Sequence, residues 1–299
     1  MKSALVTGAT GYIGQNLARR LRGAGWSVSA LVRPNSRPAD LPGIKILIYD
    51  GSTESVLSAL AQTRPDVVFH LASLFTAEHK PADVKPLVES NLLFSCQLAE
   101  AMAQSKVKLL VNTGTAWQNF GNATYNPVNL YAATKQAFES ILAYYQEAHG
   151  LRMITLKIFD TYGPNDPRPK LLALFQRARN ETLAFSAGGQ HIDLVHIEDV
   201  LKAFIMAAKR LMNGQVKRAE VYALSSKRTL SLRQVAKIFE EASNSRLRIN
   251  WGARPYRIRE VMRPWSKGRR LPGWKPKISL EAGFRRLSVR GPASLPAVF

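Results

Sequence analysis

Tyr131 and Lys135 stand four residues apart in Leu130-Tyr131-Ala132-Ala133-Thr134-Lys135, a run of helix formers that puts a phenol and an ammonium on one helical face. A phenol with a pKa of about 10 is a poor acid or base at neutral pH, and a nearby cation favours its ionised form. A Tyr so tuned can pass a proton to or from a hydroxyl or a carbonyl. The spacing is not specific by itself; its position gives it weight. Upstream, an apolar run ends in Thr113-Gly114-Thr115, bringing hydroxyls to the edge where α/β sheets bind ligands. Thr115 is read as the group that orients the reacting oxygen, with Thr113 the alternate donor and a strand-end cap the bland alternative.

A second run, Thr7-Gly8-Ala9-Thr10-Gly11-Tyr12-Ile13-Gly14, follows an apolar strand pattern and opens a helical one. Gly8, Gly11 and Gly14 would permit a tight turn, close approach of the backbone to a pyrophosphate and close helix packing. The helix start then offers unpaired N–H groups to phosphate, and Thr10, Tyr12 and Ile13 belong to the same cradle. A dinucleotide held there would supply the hydride that complements proton transfer by Tyr131. After the second strand the chain reads Val32-Arg33-Pro34-Asn35-Ser36-Arg37, with no carboxylate before Asp40. An acid would repel a 2′-phosphate, whereas Arg33 and Arg37 could clamp one. NADP is therefore expected, with NAD the alternative and solvated arginines the bland reading.

The elements that must position these groups alternate. Short Val, Ile and Leu runs at 4–6, 28–32, 44–49, 67–71, 109–111 and 153–159 lack a two-residue period, the mark of strands buried on both faces. Helical spacing fills 14–24, 52–62, 84–104 and 129–148. The rhythm predicts an α/β fold, a doubly wound parallel sheet with right-handed crossovers. From Tyr162 to Lys170 the chain is rich in turn formers, so a boundary is placed near Phe159. Beyond it a strand over 192–197 and helices over 198–211 and 232–242 are expected.

The 299 residues are 46% hydrophobic and 21% charged, too apolar for a disordered chain. Lys plus Arg exceed Asp plus Glu by 42 to 21, a formal net charge of +21, which directs attention to anionic partners. From Arg246 onward there are 14 basic and two acidic residues, a solvated basic face or a groove for phosphates. The single Cys96 excludes an intramolecular disulfide and reads as a core residue. The five histidines lack ligand spacing, so no metal is expected. Without a run of 18 apolar residues a membrane span is not expected. A soluble, unprocessed, cytoplasmic protein is.

These motifs together resemble the extended short-chain dehydrogenase/reductases that modify nucleotide sugars. Thr7 to Gly14 is similar to the family's TGxxGxxG, Tyr131 to Lys135 to its YxxxK, and Thr115 to its catalytic Ser/Thr. Asp50-Gly51 resembles the adenine-contacting turn, His70-Leu71-Ala72-Ser73 the HLA-type strand end, and Asn91 the asparagine before the fourth helix. The runs 158–164, 193–200 and 271–276 are similar to RxFNVYGP, RDFVHVDDV and LGWxP. The resemblance implies a Rossmann domain over 1–160, with 191–222 returning to it, and a nucleotide-sugar-binding domain over 161–190 and 223–299. It implies that Leu71, Ala72, Ser73, Asn91 and Ile158 join the cofactor site. It also implies a homodimer, with 84–104 and 129–148 forming the helix bundle.

Two departures bear on the substrate: Asp160 replaces the usual Asn, and Ile192 the usual Arg. Other cations must then meet the diphosphate, and Arg257, Arg168, Lys170 and Arg254 are the candidates. No ionisable residue follows Thr115 in Ala116-Trp117-Gln118, which argues against dehydration and decarboxylation. Trp117 and Phe120 could stack on a sugar or base, with packed aromatics the bland alternative. The stretches around Thr115, Tyr131 and Asp160 are similar to the CDP-abequose and CDP-paratose synthase-like 4-ketoreductases. NADPH-dependent reduction of a 4-keto nucleotide sugar is the leading expectation. The alternatives are a C4 epimerase with retained NAD and a non-catalytic nucleotide-binding protein; nucleic-acid binding is not expected.

Overall fold

The computed structural model describes residues 1–36 and 41–288. In chain order the elements are β1 (Ser3–Thr7), α1 (Tyr12–Gly23), β2 (Ser27–Val32), β3 (Lys45–Ile48), α2 (Thr53–Thr63), β4 (Val67–His70), α3 (Val84–Val88), α4 (Phe94–Gln104), β5 (Leu109–Thr115), α5 (Leu130–His149) and β6 (Arg152–Ile158). There follow β7 (Asp160–Tyr162), α6 (Leu171–Ala178), β8 (Leu183–Phe185), β9 (His191–His196), α7 (Ile197–Met212), β10 (Ala219–Leu224), β11 (Thr229–Ser231), α8 (Leu232–Ser243), β12 (Ile249–Trp251) and α9 (Leu280–Ser288).

Seven strands pair in the order β10-β6-β5-β4-β1-β2-β3, each neighbour parallel. This is a doubly wound α/β sheet of Rossmann type. Its central strands are buried on both faces because one apolar layer packs beneath α1 and α7 and the other beneath α2, α4 and α5. The order turns back between β1 and β4, the crevice where such sheets receive ligands. Thr7, His70 and Thr115 all end strands along this edge.

The expected single helix over 84–104 needs correction. It is interrupted by a π-helical turn, Glu89–Leu93, a wide turn of the kind often found at functional sites. The extra residue re-aims buried Asn91 toward the loop after β4, where its amide donates to the Leu74 carbonyl and accepts the Leu74 N–H. The turn-rich run 162–170 holds no helix or strand beyond Tyr162, which closes a short strand, Asp160–Tyr162, paired with β9 as β7.

A third apolar cluster gathers Tyr162, Phe175, Phe239 and Phe284 under the small sheets β11-β9-β7 and β12-β8. The late segment is tied back to α7 by Asp199 and by the Arg286–Glu198 ion pair. Asp199, fully buried, accepts the N–H groups of Lys277 and Ile278, and its carbonyl accepts the Trp274 indole N–H at 2.8 Å. No helix among the described residues is long and apolar enough to cross a membrane.

Candidate active site

The glycine turn is built for close approach. A Cβ on Gly14 would lie 2.1 Å from the Gly8 carbonyl oxygen, and one on Gly8, at φ +69°, would lie 2.5 Å from Ala72 N. Gly11 starts α1 with no side chain capping its first N–H groups, and the first turn carries no acid. That leaves an uncovered positive helix end beside the crevice.

A buried chain of hydrogen bonds fixes this turn against β4. The Asn91 carbonyl can only accept, so Ser95 Oγ donates to it and receives the Nε2–H of His70 at 2.9 Å. His70 Nδ1 is then bare and accepts the Thr7 hydroxyl at 2.8 Å, while Thr7 Oγ1 accepts the Ala72 N–H. His70 is thus held neutral in one tautomer. Burial, aided by the Lys135 charge, pushes its pKa well below the usual histidine value.

At the far end of the turn, Thr10, Arg33, Ser36, Tyr49, Asp50 and Gly51 line an open cavity. Arg33 is exposed at its rim; Arg37 lies outside the described residues. Ser52 donates twice to Asp50 and holds its carboxyl below the usual range. Tyr49, which sequence reasoning passed over, donates to Gln97 at 2.6 Å and shapes this wall.

α5 begins at Asn129, whose Oδ1 accepts the Ala132 N–H and whose amide donates to the carbonyls of Thr76 and Ala77. The helix and the loop after β4 are thereby one rigid unit. Tyr131 and Lys135 on its first turns are 8% and 2% exposed. Burial pushes the Tyr131 phenol up to about 12, against the pull of the Ser73 hydroxyl and the Arg168 charge. The expectation that Lys135 draws this phenol down is not what the structure shows: desolvation wins, and the cation acting on it is Arg168. Burial also lowers Lys135 to about 8, with Glu139 opposing. Two buried polar atoms, Lys135 Nζ and Thr113 Oγ1, have no hydrogen-bond partner; neither residue is among those lining the cleft in front of Tyr131.

The main cleft opens in front of Tyr131 and Thr115 and is walled by Phe75, Trp117, Phe120, Phe159 and Trp265. Ile158, Asp160, Lys170 and Arg257 also line it. Lys170 lies over the Phe75 ring at 4.8 Å and Arg257 over Trp117 at 5.4 Å, the latter paired with Glu260 at 2.8 Å. Arg168 is not among the lining residues. Its guanidinium grips Asp166 at 2.6 Å and the Thr161 carbonyl at 2.9 Å and covers the Tyr12 ring. Arg254 is exposed away from the lining. Leu71, Ala72 and Ser73 form the loop over the glycine turn, with Asn91 bracing it from behind through Ser73 and Leu74. Phe75 and Trp265 carried no sequence signal, being single aromatics in irregular segments. Among the described residues no group of three His, Cys, Asp or Glu is placed to hold a metal ion.

A dinucleotide fits this arrangement on three grounds: Gly8 and Gly14, where a Cβ would clash, an uncapped helix start, and an unpartnered buried ammonium on α5. The NAD dependent epimerase/dehydratase family model matches residues 4–223. The chain belongs to that family. This enzyme is an NAD(P)-dependent oxidoreductase of the extended short-chain dehydrogenase/reductase type. It is 24% identical over 291 residues to CDP-abequose synthase of Salmonella muenchen, covering 96% of this chain and 97% of that one. It is 26% identical over 310 residues to UDP-glucose 4-epimerase of Mycolicibacterium smegmatis, covering 94% and 96%. Among solved structures, Thermus thermophilus UDP-glucose 4-epimerase in complex with NAD superposes with a TM-score of 0.83 at 25% identity, covering 96% of this chain and 98% of that one.

Proposed function

We propose that this enzyme is an NADPH-dependent reductase of a 4-keto nucleotide sugar, a CDP-linked deoxyhexulose or a close analogue. The observation that carries this reading is the buried, protonated Tyr131 phenol lining one cleft with Thr115, where Ala116 and Trp117 stand in place of acids after Thr115. A phenol in that state is a proton donor, as a carbonyl becoming an alcohol requires.

When bound, the dinucleotide supplies a hydride. Gly8, Thr10, Gly11, Tyr12, Ile13 and Gly14 would hold its pyrophosphate, Arg33 its 2′-phosphate, and Lys135 its nicotinamide ribose. Tyr131 gives its proton to the C4 oxygen while Thr115 orients that oxygen, with Thr113 behind it. Lys170 and Arg257 meet the diphosphate, and Asp160 faces the sugar. The aromatic wall suits a ring that lacks some hydroxyls, since a hydroxyl pressed on Phe75 or Trp117 would lose its water without gaining a partner. In this reading residues 1–160 and 191–222 bind the cofactor, 161–190 and 223–299 bind the sugar nucleotide, and the enzyme works as a homodimer.

The test is NADPH oxidation with a CDP-4-keto-deoxyhexose, followed by nicotinamide absorbance. Turnover with NADPH consumed one for one with sugar supports the reading. A C4 epimerase with retained NAD is favoured instead if the purified protein carries a nicotinamide that survives dialysis and interconverts UDP-sugars, as the likeness to UDP-glucose 4-epimerases suggests.

A further inference from the structure

Beneath the Thr115 turn runs a buried polar network that the reacting groups leave unexplained. The Thr115 N–H can only donate, so the Gln118 atom facing it at 2.8 Å is the amide oxygen. The Gln118 nitrogen donates in turn to Gln136 Oε1 and Glu139 Oε1, each at 2.8 Å. Glu139 stands one helical turn beyond Lys135 on α5. Its other oxygen lies 3.9 Å from Lys157 Nζ on β6, and the two side chains are 13% and 6% exposed. Lys157 donates to Asn119 Oδ1, whose amide secures the carbonyls of Ala123 and Thr124 at the cleft rim. Gly114 leaves the room for this: a Cβ there would lie 2.8 Å from Gln118 Oε1 and 2.9 Å from Glu139 Oε1.

We propose that Glu139 is a positioning residue of the active site: its carboxylate is the buried counter-charge shared by Lys135 and Lys157 and, through Gln118, the anchor of the Thr115 turn. This rests on reading Thr115, Tyr131 and Lys135 as the reacting set. Burial disfavours both ammoniums and Glu139 opposes that at each; without the carboxylate both lose the one acid that acts on them. The groups coupled to Lys135 are Glu139 on its own helix and neutral His70 from β4, while Lys157 from β6 pairs with Glu139. Of these, Glu139 raises the Lys135 pKa, while burial pushes the Glu139 carboxyl itself above its ordinary value, opposed by Lys157, the Gln118 hydrogen bond and Lys135.

Two measurements test the assignment without relying on turnover. NADPH affinity is followed by nicotinamide fluorescence against pH, because loss of the Lys135 proton weakens its hold on the ribose and sets an alkaline limb. Glu139→Gln keeps shape and an acceptor for Gln118 but removes the charge, and should move that limb to lower pH by about one unit. Lys157→Gln removes the competing cation and should move it to higher pH. Hydrogen exchange of the Thr115 amide, measured without cofactor, should quicken roughly tenfold or more in Glu139→Ala. A wild type with no alkaline limb, limbs that shift the same way in both Gln variants, or an unchanged Thr115 amide would each overturn the proposal. If instead the limbs shift as stated while no keto sugar is reduced, Glu139 keeps its role and the proposed reaction falls.

Discussion

The Phe75 ring meets Tyr131 edge-on, with centroids 5.1 Å apart and planes at 79°. The same ring touches Trp117 at 5.6 Å and carries the Lys170 ammonium over its face. Phe75 is itself 45% exposed, so it shields the phenol while presenting an edge to the cleft. Phe75→Ala should let water reach Tyr131, bring its pKa down toward 10, and loosen its aim. A misplacement of this kind can lower kcat/KM by up to about 100-fold. Melting temperature should change little, because a half-exposed ring contributes little burial. An unchanged pH profile would show that the ring does not govern the phenol.

Tyr131→Phe keeps the ring in the same packing and removes only the donor. Turnover should fall by about 10² to 10⁴, with NADPH affinity within about twofold of wild type, since Lys135 and the glycine turn are untouched. Activity near wild type would reassign the proton donor. A parallel loss of cofactor binding would mean the phenol holds the dinucleotide rather than the substrate.

His70 gives the fold an acid limit. Its pKa is depressed by burial, so its contribution to stability is whole above the ordinary histidine value of about 6.5 and is lost as pH falls toward the folded value. His196, also lowered by burial, adds to the same limb. His70→Gln should cost about 1–3 kcal/mol at neutral pH by breaking the bonds to Thr7 and Ser95, and should flatten the decline in stability below that value. Urea melts at several pH values would show it; a variant that keeps the full acid slope would leave the slope to His196 and the carboxylates.

The central strands were legible because they are buried on both faces, so hydrophobic runs and glycine punctuation mark where they lie; the half-exposed edge strand β10 was not read. Tyr131, Lys135, Thr115 and the Gly8 to Gly14 turn were legible for a related reason: their spacing is fixed by local helix and turn geometry. What the sequence hid depends on long-range contact. The π-turn at Asn91 arises because its side chain is claimed by a loop 17 residues away. Glu139 looks like any helix-surface acid until Gln118 and Lys157 close over it. The upward shift of Tyr131 was missed because burial, unlike spacing, is settled by what folds over a residue, and Phe75 lies in a segment without pattern.

Arg33, at the rim of the cavity beyond the glycine turn, is the residue expected to decide between cofactors. Arg33→Ala should weaken NADP(H) binding by about 10-fold or more, the worth of one charge-assisted hydrogen bond, and leave NAD(H) unchanged. Equal losses for both cofactors would place Arg33 on the diphosphate or in the fold, and no loss for either would make it a surface residue.

Lys135 is held in the fold at a cost. Its pKa falls from an ordinary value of 10.5 to about 8, which corresponds to roughly 3 kcal/mol of penalty for keeping the charged form buried. For a lysine lowered in this way the stability contribution is complete above 10.5, shrinks as pH falls, and is lost below about 8. Lys135→Met should therefore raise the melting temperature at pH 7, with the gain shrinking toward pH 10, while turnover falls sharply. Met also leaves Glu139 with Lys157 alone, which returns part of the gain, so an increase of about 1–2 kcal/mol is the expected net. A variant less stable than wild type at every pH would mean that the ammonium is satisfied in the cofactor-free protein, and that burying its charge carries no such cost.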